Sequence, residues 1–125
     1  MESNEECIID AVYEVNEENS YYWNTERKKW IFSNSYEDKF IGASELKDNC
    51  EMFINGNKTE FQTDFTDEGH KEVKIIIKDP KKFESAQYMF AGCNSLVKVS
   101  FKNFSKPYLK NCKGMFSASL ALESI

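Results

Sequence analysis

"QYMFAGCNSL" (residues 87–96) and "KGMFSASLAL" (residues 113–122) decide how this chain reads. Each holds a Met-Phe pair followed by small residues and a Leu, and the two pairs stand 26 positions apart. The same offset carries Val73 onto Val99, Ile75 onto Phe101, Phe83 onto Leu109, Ala86 onto Cys112, Leu96 onto Leu122 and Val99 onto Ile125. A fixed period in the twenties, with a strand, a turn and a short apolar piece in each unit, is the signature of a leucine-rich solenoid. One coil of such a ladder cannot bury its apolar side alone, so equivalent residues stack. The repeat core expected on this basis is Val73, Ile75, Met89, Phe90, Leu96, Val99, Phe101, Met115 and Phe116, with Gly92 and Ala118 at the tight turns.

Outward from the repeat, the pattern is that of strands. From Cys7 to Val15 the odd positions Cys7, Ile9, Ala11, Tyr13 and Val15 are apolar, against Asp10 and Glu14, which predicts a half-buried strand. "RKKWIF" predicts a second strand with Trp30 or Phe32 facing the core, "KFIG" a short third, and "ASELKDN" one helical turn with Ser44 as its N-cap. Asn55-Gly56 sits between two apolar-bearing runs. Both residues tolerate the positive φ of a type I′ turn, so a tight hairpin is predicted, with Ile54 opposite Asn57, Met52 opposite Thr59 and Cys50 opposite Phe61. "VKIIIKDP" predicts a strand showing Val73, Ile75 and Ile77 on one face, stopped at Pro80 because proline cannot donate to a ladder. The expected fold class is mainly β with short helices (α+β). A β-sheet and hairpin cap over residues 1–72 would run into about two leucine-rich coils over residues 73–125, sharing one core.

"YMFAGCNSLVKVSF" and "CKGMFSASLALESI" resemble the repeats of BspA-type leucine-rich-repeat surface proteins, which carry a Met-Phe, a small Cys or Ser turn, then Ser-Leu and a strand. Upstream, Asp48-Asn49-Cys50, Met52 to Ile54, Asn55-Gly56 and Val73 to Ile77 follow the order of the non-repeat lead-in of many protist members. The likeness covers roughly residues 45–125. It implies a solenoid continuation and an adhesion-type or other protein-binding role. The family's "LDLSNF" segment is here "VKVSFKNFSKP", and Asn94 falls on Leu120 in the turn.

Composition narrows the function classes. The chain has 125 residues, enough to bury about two-thirds of its extended-chain surface in one core. Sixteen Lys and Arg against 21 Asp and Glu give a net charge of −5, and no dense basic run lies beyond "ERKK", which argues against a nucleic-acid groove. Four cysteines without a CxxC pair and a single His70 do not make a zinc set. No apolar run approaches the roughly 20 residues of a membrane helix. "MESNEECIID" has neither the basic end nor the apolar core of a secretory signal, which suggests a cytoplasmic location, or the cell surface only behind a further upstream signal. The sequons at Asn57 and Asn103 matter only in that second case.

The expected activity is therefore non-enzymatic: a protein-protein interaction module, acting as a scaffold, as a small subunit of a larger assembly or in surface adhesion, with no cofactor and no metal. The expected contacts are the exposed ring cluster Tyr21, Tyr22 and Trp23 and the uncapped C-terminal coil at Leu120, Leu122 and Ile125, meeting another protein or a second copy. The alternative is a small metal-binding or enzymatic domain centred on Asp64, Asp67, His70 and Glu72.

Overall fold

Nine residues of strict alternation make β1 (Cys7–Val15), with every odd side chain buried and every even one half-buried. The computed structural model describes residues 6–15, 29–34, 39–102 and 114–116. After β1 come a five-residue helix α1 (Ala43–Lys47), β2 (Cys50–Ile54), β3 (Asn57–Thr59), β4 (Gly69–Ile77), a single 3-10 turn at Pro80–Lys82 and β5 (Leu96–Lys102). The five strands form one antiparallel sheet in the order β3-β2-β4-β1-β5.

The hairpin forms where the sequence places it. Asn55 and Gly56 both have positive φ, at 52° and 85°, and the register pairs Ile54 with Asn57 and Met52 with Thr59. The ladder stops there, so Cys50 and Phe61 are not paired. β4 likewise ends before Pro80, where the Asp79 carboxylate accepts a hydrogen bond from the Lys81 amide and caps the 3-10 turn. α1 is capped by Gly42 and not by Ser44, with no side-chain cap bond. "RKKWIF" contributes only an isolated bridge between Trp30 and Asp64, and "KFIG" is a turn. Those segments cross the core face of the sheet instead of joining it.

One face of the sheet is the core. Ile9, Tyr13, Val15, Met52, Ile75, Leu96 and Val99 project from it onto Ile31, Phe32, Phe40, Leu46, Met89 and Phe90, which arrive from the connecting segments and α1. Tyr13 is fully buried; its hydroxyl donates to the Ile31 carbonyl at 2.7 Å, and its ring meets Phe65 edge-on at 4.9 Å. That bond satisfies a polar atom that would be costly to leave unpaired. Phe32 is the hub of the ring cluster, with centroids 5.5 Å from Phe40, 5.5 Å from Phe61 and 5.9 Å from Phe90.

The solenoid expectation is corrected by the strand order. Val73 and Val99 lie on β4 and β5, which are not neighbours: β1 runs between them, antiparallel to both. A leucine-rich ladder needs its successive strands side by side and parallel. The offset of 26 survives only as register. Val73 and Val99 are both opposite Ala11, and Ile75 and Phe101 are both opposite Ile9, on its two sides. Equivalent residues thus share a row and not a contact. The Met-Phe segments do meet: Phe90 and Phe116 stack at 5.9 Å with planes 4° apart, and the Phe90 amide donates to the Met115 carbonyl at 2.9 Å. Gly114, at φ +63°, brings them together; a Cβ there would collide with the Tyr88 ring. The outcome among the described residues is a single antiparallel sheet with almost no helix, and not a coiled array.

Of the residues expected as repeat core, Val73, Ile75, Met89, Phe90, Leu96, Val99 and Met115 are buried, and Phe101 and Phe116 are half-buried against the core.

Candidate functional site

The contacts expected at Tyr21, Tyr22 and Trp23, and at Leu120, Leu122 and Ile125, lie outside the described residues. The acidic and histidine loop is described, and its groups do not converge. Asp64 accepts hydrogen bonds from Asn34 and Thr63, and Asp67 pairs with Lys71 at 2.7 Å. His70 stands apart from both, with Glu14 and Glu72. No group of three or more His, Cys, Asp or Glu among the described residues is arranged to hold a metal ion.

His70 itself is held on both sides. Its Nε2 is 2.9 Å from Glu72, two residues along β4, and its Nδ1 is 2.5 Å from Glu14, directly across on β1. The two nitrogens point at different carboxylates, so one ion cannot take both. The two hydrogen bonds, Glu72's first, raise the His70 pKa above its ordinary 6.5. A histidine whose folded pKa lies above its unfolded one stabilises the fold fully below the unfolded value, and that gain is lost as pH rises through the folded value. The effect is small at an exposed site. The expected result is an NMR titration midpoint for His70 above 6.5 that moves back toward 6.5 in Glu14→Gln/Glu72→Gln. A midpoint that does not move would show that the carboxylates are not its partners.

The more informative surface is the side of the sheet opposite the core. Successive strand residues alternate faces, so cross-strand partners of the even β1 positions line it. One row across the sheet runs Lys58, Phe53, Lys74, Asp10 and Ser100. The next runs Glu51, Ile76, Ile8 and Lys102, and a third Glu72, Val12 and Lys98. Ile8, Val12, Phe53 and Ile76 are each half-exposed and belong neither to the core nor to the set packed against it. A hollow of about 470 Å³ opens here, lined only by strand residues and the hairpin Gly56.

Charge on this face balances. Asp10, Glu14, Glu51 and Glu72 oppose Lys58, Lys74, Lys98 and Lys102, four against four, on a chain of net charge −5. Lys58 and Glu51 are joined at 3.1 Å. Asp10 and Lys74 are directly opposite on adjacent strands, yet no ion pair joins them.

The sequence held a signal for this face that plain alternation hides. "CIID" and "KIIIK" place Ile8 and Ile76 at positions where a one-sided strand carries a polar residue, and "EMFI" does the same with Phe53. Apolar residues at both parities mark strands with something to cover on each side.

Two other features are less telling. A larger hollow of about 820 Å³ lies beside Phe40 and Phe61, with Asn34 and Lys39 on its lining at either end of residues 35–38, which are outside the described set. Among the described cysteines, Cys7, Cys50 and Cys93 form no disulfide. Burial, opposed by Lys78, pushes the Cys50 thiol up to about 11, so it stays protonated and is a poor nucleophile. Among the described residues no helix is long and apolar enough to cross a membrane. No family model, no curated protein and no solved structure matches the chain.

Proposed function

We propose that the chain is a non-enzymatic protein-interaction module, a scaffold or small subunit, that docks through the open face of its sheet. Its partner presents a protein surface with an apolar centre and charges of both signs. The observation that carries this is the set Val12, Phe53 and Ile76, outside the core and around a hollow that only strand and turn residues line, with Ile8 beside Ile76. Contiguous exposed apolar surface rimmed by polar residues is typical of contact sites. A balanced mix of charge gives register and selectivity more than raw affinity.

The double substitution Phe53→Glu/Ile76→Lys tests the reading. A carboxylate at position 53 would lie between Lys58 and Lys74, and an ammonium at position 76 beside Glu51, so each new charge meets an opposite one and the fold is spared. Proximity labelling in cells making the tagged chain should then lose a defined set of neighbours, while the melting temperature stays within about 3 °C of the parent. An unchanged neighbour set with the fold intact would sink the proposal.

A further inference from the structure

Resting on that reading, we infer that the partner is a second copy of this chain, packed face to face across a two-fold axis that runs along the strands between β4 and β1. The register decides this. Such an axis lays β1 of one copy over β4 of the other, and β5 over β2. Each residue then meets the one at the mirrored place in its own row. Ile76 meets Ile8, Lys74 meets Asp10, Glu51 meets Lys102, and His70 meets Glu14. These four are apolar or opposite-charge matches; the other two pairs, Phe53 with Ser100 and Glu72 with Val12, set an apolar side chain against a polar one, and no pair in the three rows sets like charges together. A two-fold interface repeats each contact twice, so a pattern complementary to its own mirror image is what it requires. Packed sheets keep their strands within about 30° of each other, which such an axis permits.

The unpaired ions fit the same arrangement. Asp10 and Lys74 face each other within one chain without bonding, and both line the hollow. Sheets about 10 Å apart place the lysine of the other copy within reach of the Asp10 carboxylate. Charge selects the orientation as well. The face carries four acids and four lysines, so the remainder of the chain holds the whole −5. A face of zero net charge meets its own copy without the repulsion that the net −5 of the chain would otherwise bring. In size, the four strands that overlap across this axis, at about 4.8 Å each by about seven residues at 3.4 Å, give a plan area of about 450 Å². That is little more than half of the roughly 800 Å² per partner of a standard interface, which fits a weak dimer.

Sedimentation velocity on the full chain, with native mass spectrometry, tests the assignment. The wild type is expected at twice 14.6 kDa, with a dissociation constant in the micromolar range, about 1–50 µM. Asp10→Lys sets two ammonium groups against each other across the axis and should weaken association about tenfold or more. The swap Asp10→Lys/Lys74→Asp restores the opposite pair and should return the constant to within about threefold of wild type. Carbodiimide coupling in mixed light and heavy-isotope dimers should link Asp10 to Lys74 between copies. A wild type that stays monomeric at about 100 µM overturns the dimer. So does a dimer indifferent to Asp10→Lys, or a folded swap variant that fails to re-associate. A monomer that still loses its cellular neighbours on Phe53→Glu/Ile76→Lys would leave the docking face in place with a different protein on it. Neighbours that survive that change, on a chain that is also monomeric at that concentration, would remove the face itself.

Discussion

Phe32→Ala is expected to lower stability by about 3–5 kcal/mol, the range for truncating a fully buried Phe. At this chain length that corresponds to a melting temperature lower by about 10–25 °C. Phe32 is the place for the largest effect because its ring joins three separate parts of the chain. It stacks on Phe61, leaving β3, at 5.5 Å and 10°, tilts against Phe40, before α1, and stacks on Phe90, in the first Met-Phe segment. It is fully buried and lies on no strand; besides packing, its segment is held by the bonds that the Ile31 and Phe32 amides give to the Thr63 carbonyl, that the Ser33 amide gives to the Met89 carbonyl, that the Phe65 amide gives to the Lys29 carbonyl and that the Tyr13 hydroxyl gives to the Ile31 carbonyl. Its loss leaves a cavity that rings already fixed by other neighbours cannot close, and a native stability of about 5–15 kcal/mol leaves little in reserve. Phe53→Ala is the matched control. It removes the same side chain from the open face, where the cost should stay below about 1 kcal/mol. Urea unfolding midpoints for the pair would decide the matter. Equal losses at the two positions would mean that the core and open faces have been assigned wrongly.

That contrast also marks what the residues alone could tell. Local chemistry was readable: nine residues of alternation for β1, Asn55-Gly56 for the hairpin and its register, Pro80 for the end of β4. Each of these is decided by dihedral preference or period within a few residues. The strand order was not, because pairing partners are chosen by burial across the whole chain. The offset of 26 is compatible with two strands lying side by side. It is equally compatible with two strands lying on either side of a third in the same rows, and only β1 settles which. β1 is apolar on its core side at Cys7, Ile9, Ala11, Tyr13 and Val15, so it gains most at the centre of the sheet, where both its edges are paired. The candidate site was missed for a related reason. Ile8 and Ile76 sit inside apolar runs where the alternation singles out only their odd-numbered neighbours, and their parity places them on the face opposite the core. "RKKWIF" misled in the other direction: its rings are core residues, and core residues with β propensity need not be in a strand.

Asn49→Ala is expected to cost about 2–3 kcal/mol, a large effect for a side chain that touches no catalytic or binding group. Asn49 is buried just before β2, and both ends of its amide are used on one residue. Its Oδ1 accepts from the Asp79 amide at 2.9 Å and its Nδ2 donates to the Asp79 carbonyl at 2.8 Å, while its own carbonyl accepts from the Lys78 amide at 2.8 Å. The three bonds close the end of the β2–β4 ladder where the next residue, Pro80, has no amide to offer. Alanine strips both Asp79 groups of their partners while keeping them half-buried, and an orphaned polar group costs more than the bond itself was worth. Asn49→Asp separates bonding from volume. A carboxylate can still accept from the Asp79 amide but cannot donate to the carbonyl beside it, which disfavours the charged form and raises its folded pKa above the ordinary carboxylate value of about 3.9. The variant should therefore regain stability as pH falls through that raised value, because the protonated acid can donate again. Asn49→Ala has no such group and should track the wild type at every pH. Hydrogen exchange of the Lys78 and Asp79 amides should speed up in the alanine variant, with β1 unaffected. If instead the exchange rates and the urea midpoint stay within about 0.5 kcal/mol of wild type, the Asn49 amide is not what closes this end of the sheet, and Ile76 and Glu51 on the open face owe their rows to the strand ladder alone.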